Sequence, residues 1–306
     1  MRKILLSVIG MALAADASAL KIIITNDDGL SSNVVALTTA LRNAGHQVAV
    51  SVPCTGQSGR SGALVFYSQQ KINAENDAQV TTNGGCSYGV AAIGDPSMGP
   101  FKKSGFADYY YAHGTPVIAA LYGVDVVAKQ KWGTLPDLVI SGPNEGQNVG
   151  ALNLLSGTVG AAQFAGVRNI PSIAVSAGDN TASSSLNNPR STIVANHVVN
   201  LVAELKGKAG NKRLIPKNVI LNVNMPDNVT ATTPFAFSKV GTFNKYDLSM
   251  SSTQMPIPVS TATAAQQNDE AVVSDKKIAV TALQIGYESS PVTQSWLKLH
   301  LKNLFK

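Results

Sequence analysis

The chain of 306 residues has little charge, few aromatic residues and only two cysteines. Charged residues make up 14% of the sequence and aromatic residues 6%, whereas 44% of the residues are hydrophobic. This composition excludes a disordered or fibrous protein and is typical of a globular enzyme with a substantial core. The length suits one large domain, or one domain with an appendage.

A stripe of basic residues with aromatic residues between them is also missing. The formal net charge is +6, but the basic residues are scattered along the chain. A nucleic-acid-binding face gathers basic residues around aromatic platforms, so we expect no nucleic-acid duplex as a partner. The mild positive charge would help to attract a small anionic substrate.

Long hydrophobic runs are absent except at the N-terminus, where Arg2 and Lys3 precede an apolar run from Ile4 to Ala15. This run is too short for a transmembrane span. Small residues follow it at 15–19, which is the layout of a secretory signal peptide. We therefore expect residues 1–19 to be removed and the mature protein to be exported, periplasmic or secreted. A buried first strand or helix is the alternative.

The two cysteines, Cys54 and Cys86, both lie in loop-like sequence. In an exported protein they form either a disulfide or two free thiols, and the sequence leaves both open. A bridge would contribute about 3–4 kcal/mol in the chain-entropy model.

Strands and helices alternate along most of the chain. Short β-branched runs predict strands at 20–25, 47–52, 64–67, 138–140, 172–175 and 219–223. Apolar residues at helical spacing predict helices at 34–44, 116–127, 158–167 and 193–205. This alternation predicts an α/β fold, in which helices cover both faces of a mostly parallel sheet.

Two parts of the chain lack this alternation. Residues 68–112 have no sustained period and predict an irregular insertion or a set of short hairpins. Beyond Pro226 the sequence predicts strands at 235–240, 271–273 and 278–283 and a last helix at 291–305. We interpret residues 20–226 as the core of one domain and residues 227–306 as its C-terminal extension or dimerisation arm.

Three polar loops follow three predicted strands, and in a parallel sheet all three meet at one edge. The first is Asn26-Asp27-Asp28-Gly29. Two adjacent carboxylates repel each other unless a cation lies beside them. The alternative for this loop is an Asx turn with a helix cap.

The other two loops offer hydroxyl, amide and backbone groups. Residues 53–62 contain Ser58 and Ser61 among glycines, although surface loops commonly have this composition. Residues 141–150 contain Asn144 and Asn148. Beyond them a predicted helix begins at Ser156-Gly157-Thr158. The exposed N–H groups at the start of a helix suit an anion. The alternative is that Ser156 is an ordinary N-cap.

The oxygen donors in these loops select Mg²⁺, Mn²⁺ or Ca²⁺ over zinc. None of the four histidines has zinc-type spacing with a partner, so the sequence predicts no zinc site.

Together these motifs resemble the SurE survival-protein family. They are NDDG after the first strand, PxxxxSGxS after the second, SGxNxGxNxG after the third and SGTV at the next helix. The resemblance implies a Rossmann-like three-layer sandwich and a metal-dependent nucleotidase or acid phosphatase acting on small phosphate monoesters. It also implies a homodimer or homotetramer with a swapped C-terminal arm.

Carried over by motif, the resemblance implies one divalent ion, expected to be Mg²⁺ or Mn²⁺, held by Asp27, Asp28, Ser58 and Asn144. Asp27 or Asp28 would also act as the catalytic base. The residues expected to contact substrate or its phosphate are Asn26, Gly29, Ser61, Asn148, Ser156, Gly157 and Thr158.

Two other functions are alternatives for this sequence. In an esterase, Ser58 or Ser61 would be the nucleophile and His113 its base, but the sequence has no GxSxG elbow. An exported nucleotide- or solute-binding protein would bind its ligand without turnover and would not need adjacent carboxylates.

Overall fold

The structure is a computed structural model that describes residues 19–75, 77–210, 212–247, 257–258 and 261–304. The proposed signal peptide, apart from its last residue, lies outside the described residues. Within the described ranges, no helix has both the length and the apolar character needed to cross a membrane.

The strands build one large mixed sheet and one small pair. In chain order they are β1 (Lys21–Thr25), β2 (Gln47–Pro53), β3 (Met98–Pro100), β4 (Tyr109–Ala112), β5 (Leu138–Glu145), β6 (Ser172–Ala177), β7 (Val219–Asn224), β8 (Phe235–Ser238), β9 (Tyr246–Asp247), β10 (Ile257–Pro258) and β11 (Ile278–Gln284). The large sheet has nine strands in the order β3-β4-β2-β1-β5-β6-β7-β11-β8, and β9 pairs with β10.

The central strands of the sheet, from β4 through β2, β1, β5 and β6 to β7, are all parallel. At one end β3 runs antiparallel to β4, and at the other β11 runs antiparallel to β7. This arrangement confirms the predicted α/β fold with a mostly parallel sheet. The strand β11, from the segment interpreted as an extension, is an integral member of it.

Helices cover both faces of the sheet. They are α1 (Ser32–Asn43), α2 (Ala78–Asn83), α3 (Pro116–Tyr122), α4 (Ala128–Trp132), α5 (Gly157–Val167), α6 (Pro189–Ala209), α7 (Glu270–Val273) and α8 (Pro291–His300). A π-helical turn, Gly123–Val127, joins α3 to α4.

The strand β1 shows why two helical layers are needed. Ile22, Ile23 and Ile24 are all fully buried, although successive side chains of a strand point to opposite faces. Ile22 and Ile24 share a hydrophobic cluster with residues of α1 and α6. Ile23 packs on the other side with Val124 and Ala165. The central strand is therefore fixed from both faces, and the loop that follows it starts from a rigid point.

Three predicted elements differ from the structure. Residues 64–67 form no strand, only an isolated bridge between Phe66 and Gly114. Residues 271–273 belong to α7 rather than to a strand, since the amides of Val272 and Val273 both donate to the Asp269 carbonyl. The segment 68–112 is not wholly irregular, because it contains α2, β3 and β4, and β4 joins the parallel sheet beside β2.

Cys54 and Cys86 are bonded as a disulfide, which decides between the two alternatives that the sequence left open. Cys54 directly follows β2, so the bridge ties the segment 68–112 to the carboxyl edge of the sheet.

Replacing both cysteines by serine is expected to lower the free energy of unfolding by about 3–4 kcal/mol, since the bridge closes a long loop in the unfolded chain. The two cysteines lie 32 residues apart in sequence. Urea denaturation of the wild type and the double variant measures the difference. Wild-type protein unfolded with a reductant should match the variant. Equal midpoints for oxidised wild type and variant would show that the bridge contributes nothing.

Candidate active site

The three polar loops predicted from the sequence meet at the carboxyl edge of the sheet. Asp27 and Asp28 follow β1, which lies between β2 and β5. Ser58 lies in the loop after β2, and Asn144 is the penultimate residue of β5. Gly29 has a φ of 75°, and a Cβ there would come 3.0 Å from the Pro53 carbonyl oxygen. Glycine at this position therefore lets the first two loops pack together.

Asp27 is buried against the N-terminus of α5. The Thr158 hydroxyl donates to Asp27 Oδ1 at 2.7 Å, and the Thr158 amide donates to Oδ2 at 3.2 Å. A Cβ on Gly157 would lie 2.8 Å from the Asp27 Cβ, so only glycine lets the helix approach this closely. Burial and the neighbouring Asp28 raise the pKa of Asp27 to about 7, although the Thr158 hydrogen bonds oppose the shift.

Asp28 is half-buried and joins the other two loops. Ser58 Oγ donates to Asp28 Oδ1 at 2.7 Å, and the Glu145 amide donates to Oδ2 at 3.2 Å. Burial raises the pKa of Asp28, and the carboxylate of Asp179 adds to the rise, against the two hydrogen bonds. The structure thus brings Asp28 and Ser58 into direct contact and holds β5 beside them.

Two buried amide oxygens at this edge have no hydrogen-bond partner. Asn144 donates through Nδ2 to the Gly146 carbonyl at 2.6 Å, which leaves its Oδ1 unpartnered. Asn26 donates through Nδ2 to the Gly29 carbonyl at 3.3 Å, and its Oδ1 is also unpartnered. A buried acceptor without a donor costs free energy, and a cation is a partner that removes this cost.

These residues fit a divalent cation with a preference for oxygen ligands. Asp27, Asp28, Ser58 and Asn144 offer carboxylate, hydroxyl and amide oxygens, which suit Mg²⁺ or Mn²⁺. Both carboxylates have raised pKa values, so a nearby positive charge would stabilise their ionised forms. Among the residues that the structure describes, no group of three or more His, Cys, Asp or Glu side chains is placed to hold a metal.

The remaining predicted side chains make structural contacts in this geometry. Ser156 caps α5 by accepting from the Val159 amide at 3.0 Å, as the capping alternative proposed. Ser61 donates to the Leu154 carbonyl at 2.8 Å, and Asn148 donates through Nδ2 to Ser176 Oγ at 2.9 Å. Their role as phosphate-binding residues stays a prediction.

Two acidic residues at this edge were missed by the sequence reasoning. Glu145 directly follows Asn144, and burial, Asp28 and Asp179 raise its pKa to about 7. Asp179 is exposed and lies just beyond β6. The rule that located the other loops would have found Asp179 too, because β6 is the next parallel strand of the sheet.

A buried glutamate from the C-terminal segment supports the third loop. Glu270 Oε1 accepts from the Gly150 amide at 2.9 Å, and its Oε2 accepts from Asn222 Nδ2 at 3.1 Å. Glu270 is fully buried, and burial raises its pKa. The segment after residue 227 therefore helps to position the loop that carries Asn148.

His113 is not placed to serve Ser58 or Ser61. Its Nδ1 lies 2.6 Å from Ser68 Oγ, and its Nε2 lies 3.7 Å from Asp77 Oδ2, all in the interior. Ser58 is instead hydrogen-bonded to Asp28. The pairing that the esterase alternative requires is therefore not formed.

Comparisons with known proteins give a consistent result. The family model described as Survival protein SurE matches residues 22–246. An acid phosphatase of Yarrowia lipolytica is 32% identical over 220 residues, which cover 67% of this chain and 56% of that protein. A 5'-nucleotidase SurE of Methanothermobacter thermautotrophicus is 33% identical over 220 residues, which cover 68% of this chain and 69% of that protein. The chain thus spans between about half and two thirds of the lengths of these relatives.

The fold also matches a solved structure. The crystal structure of the SurE protein from Aquifex aeolicus superposes with a TM-score of 0.63 over 91% of this chain and 99% of that one. At 24% identity this likeness shows the fold alone. Because the family model covers most of the chain, and because its motifs meet at one edge of the sheet, this protein belongs to the SurE family.

Proposed function

We propose that this protein is a metal-dependent phosphomonoesterase that hydrolyses nucleoside monophosphates. The observation that carries the proposal is the Asp27–Asp28 pair at the carboxyl edge, where the Glu145 amide donates to Asp28 and the neighbouring Asn144 has an unpartnered Oδ1. Both carboxylates have raised pKa values. The printed names of the relatives, acid phosphatase and 5'-nucleotidase, support the same activity.

Asp27, Asp28, Ser58 and Asn144 would hold one divalent ion, Mg²⁺ or Mn²⁺. Such an ion polarises a phosphoryl oxygen and lowers the pKa of water. Asp28 or Asp27 would accept the proton of the attacking water or hold that water in line with the leaving group. The hydrogen bonds from Thr158 keep the Asp27 carboxylate in one orientation, so this group is positioned before substrate arrives.

The N-terminus of α5 would attract the remaining phosphoryl oxygens through its partial positive charge. The Thr158 and Val159 amides already donate to Asp27 and Ser156, so this attraction does not require new hydrogen bonds from them. In hydrolysis a bond forms between water oxygen and phosphorus, and the bond from phosphorus to the leaving alcohol breaks. The transition state is loose, so positioning and positive charge supply most of the acceleration.

The proposal includes export and self-assembly. The disulfide between Cys54 and Cys86 supports an oxidising compartment, in line with the signal-peptide pattern at residues 1–19. A homodimer or homotetramer is proposed from the family resemblance.

Phosphate release by the purified protein tests the activity. Nucleoside monophosphates and a generic aryl phosphate are assayed with Mg²⁺, with Mn²⁺ and with a chelator. We expect release with metal and only background release with chelator. Release that survives the chelator and is blocked by a serine-directed inhibitor would favour the esterase. No release under any condition, with a nucleotide still raising the melting temperature, would favour the binding protein.

A further inference from the structure

Tyr88 lies on a turn that the disulfide fastens to the active-site edge. Cys86 is bonded to Cys54, and the Ser87 amide donates to the Cys54 carbonyl at 2.9 Å. Cys54 directly follows β2, the neighbour of the strand that carries Asp27 and Asp28 at its end. The position of Tyr88 relative to the acidic site is therefore set by a covalent bond and a backbone hydrogen bond.

The backbone of Tyr88 has an unfavourable conformation. Its φ is 58° and its ψ is 13°, in the left-handed region that non-glycine residues rarely adopt. The turn is held by the Gly89 amide, which donates to the Cys86 carbonyl at 3.2 Å, and by Lys103 Nζ, which donates to the Tyr88 carbonyl at 3.1 Å. The side chain remains 38% exposed. A strained residue that presents its ring to solvent points to a role in binding.

The ring of Tyr88 also lies within electrostatic reach of the acidic site. Burial raises the pKa of the Tyr88 phenol, and the Glu145 carboxylate raises it further. Glu145 in turn donates its amide to Asp28 Oδ2 at 3.2 Å. The disulfide and the Ser87–Cys54 hydrogen bond place the turn at the same carboxyl edge of the sheet as the carboxylates.

We propose that Tyr88 is a specificity-determining residue that stacks on the aromatic part of the leaving group, such as the base of a nucleoside or an aryl ring. This inference rests on the proposed phosphatase function, because it assumes a phosphate held at Asp27 and Asp28. The leaving group of such an ester would extend from the phosphate along the carboxyl edge, where the turn that carries Tyr88 lies. A tyrosine ring offers a flat π-face with few rotatable bonds, and stacking on it tolerates any base.

The test compares Tyr88→Asn with Tyr88→Phe. Asparagine tolerates the left-handed backbone but has no ring, whereas phenylalanine keeps the ring. Tyr287→Ala is the matched control, because Tyr287 is a tyrosine that is 98% exposed. Two quantities are measured for each protein. One is the affinity for adenosine and for inorganic phosphate by calorimetry. The other is the ratio of kcat/KM for adenosine 5'-monophosphate to that for glycerol 2-phosphate.

Tyr88→Asn is expected to weaken adenosine binding about tenfold and to lower the kcat/KM ratio about tenfold, which is the size of one stacking contact. For Tyr88→Phe and Tyr287→Ala, the adenosine affinity and the kcat/KM ratio should stay within about twofold of the wild type, because neither substitution removes the stacking contact. The inference is overturned if Tyr88→Asn changes neither quantity, if Tyr88→Phe is as defective as Tyr88→Asn, or if the wild type binds no adenosine.

The two proposals fail in distinguishable ways. If the wild type releases no phosphate but loses adenosine binding on Tyr88→Asn, the stacking role stands and the phosphatase activity is wrong. If the wild type hydrolyses both esters and Tyr88→Asn lowers kcat/KM equally for both, the phosphatase activity stands and the stacking role is wrong.

Discussion

Asp28→Asn is expected to lower kcat for phosphate release about a thousandfold, with metal present and at neutral pH. The substitution removes one negative charge from the proposed ion site and changes the size of the side chain very little. Loss of a metal-site contribution costs several kcal/mol of transition-state stabilisation, and each 1.36 kcal/mol is a factor of ten in rate. Steady-state kinetics on a nucleoside monophosphate measures the effect.

The control for this prediction is Asp275→Asn. It removes the same charge from the surface, where Asp275 pairs with Lys245 at 2.9 Å. Both variants should show the circular dichroism spectrum of the wild type, so a loss of activity in Asp28→Asn cannot be ascribed to unfolding. If kcat of Asp28→Asn stayed within about threefold of the wild type, Asp28 would not belong to the metal site, given the several kcal/mol at stake.

The sequence predicted the centre of this site because two simple regularities coincide there. Fully apolar β-branched runs mark buried parallel strands, as in β1, and a polar loop must follow each of them at the same edge. Asp28, Ser58 and the end of β5 therefore meet, although 30 residues separate Asp28 from Ser58 and 117 separate it from Glu145. The adjacent carboxylates of Asp27 and Asp28 then indicated a cation, and this inference did not depend on which helices cover the sheet.

The predictions failed where tertiary contacts override local pattern. The strand β4 has three tyrosines, which favour a strand by propensity, but it is only four residues long and depends on its pairing with β2 and β3. The residues Val272 and Val273 favour a strand by propensity. They turn helical because the Asp269 carboxylate, fully buried, accepts from the amides of Thr242 and Phe243 and fixes the chain there.

The metal-free protein is expected to lose stability as pH rises from about 4 to 8. The folded-state pKa of Asp27 is about 7 and the ordinary value is 3.8, so folding favours the protonated form. The stabilisation of the folded protein by protonated Asp27 is fully present below the ordinary pKa of 3.8 and is lost as pH rises through about 7. Holding Asp27 ionised in the folded protein at pH 8 then costs on the order of 4 kcal/mol. The raised pKa values of Asp28 and Glu145 act in the same direction.

A bound divalent cation offsets this cost, because it stabilises the ionised carboxylates. The rise in melting temperature on adding Mg²⁺ or Mn²⁺ should therefore be larger at pH 8 than at pH 5. Melting curves with metal and with chelator at both pH values measure it. Asp27→Asn should be more stable than the wild type at pH 8 without metal and should lose most of the metal-induced rise, whereas Asp275→Asn should behave as the wild type.

Equal metal-induced rises in melting temperature at pH 5 and pH 8 would contradict the proposal that the metal binds to the buried Asp27–Asp28 pair.

The expected outcome connects the stability of the protein to its proposed function through the side chain of Asp27. The close approach of α5, which Gly157 permits, buries Asp27 and makes its charge unfavourable in the metal-free protein. The same approach directs the Thr158 amide and hydroxyl at that carboxylate, and the proposed cation would be its further partner. Asp27→Asn is therefore expected to remove both the cost of an ionised Asp27 in the metal-free protein and the proposed catalysis.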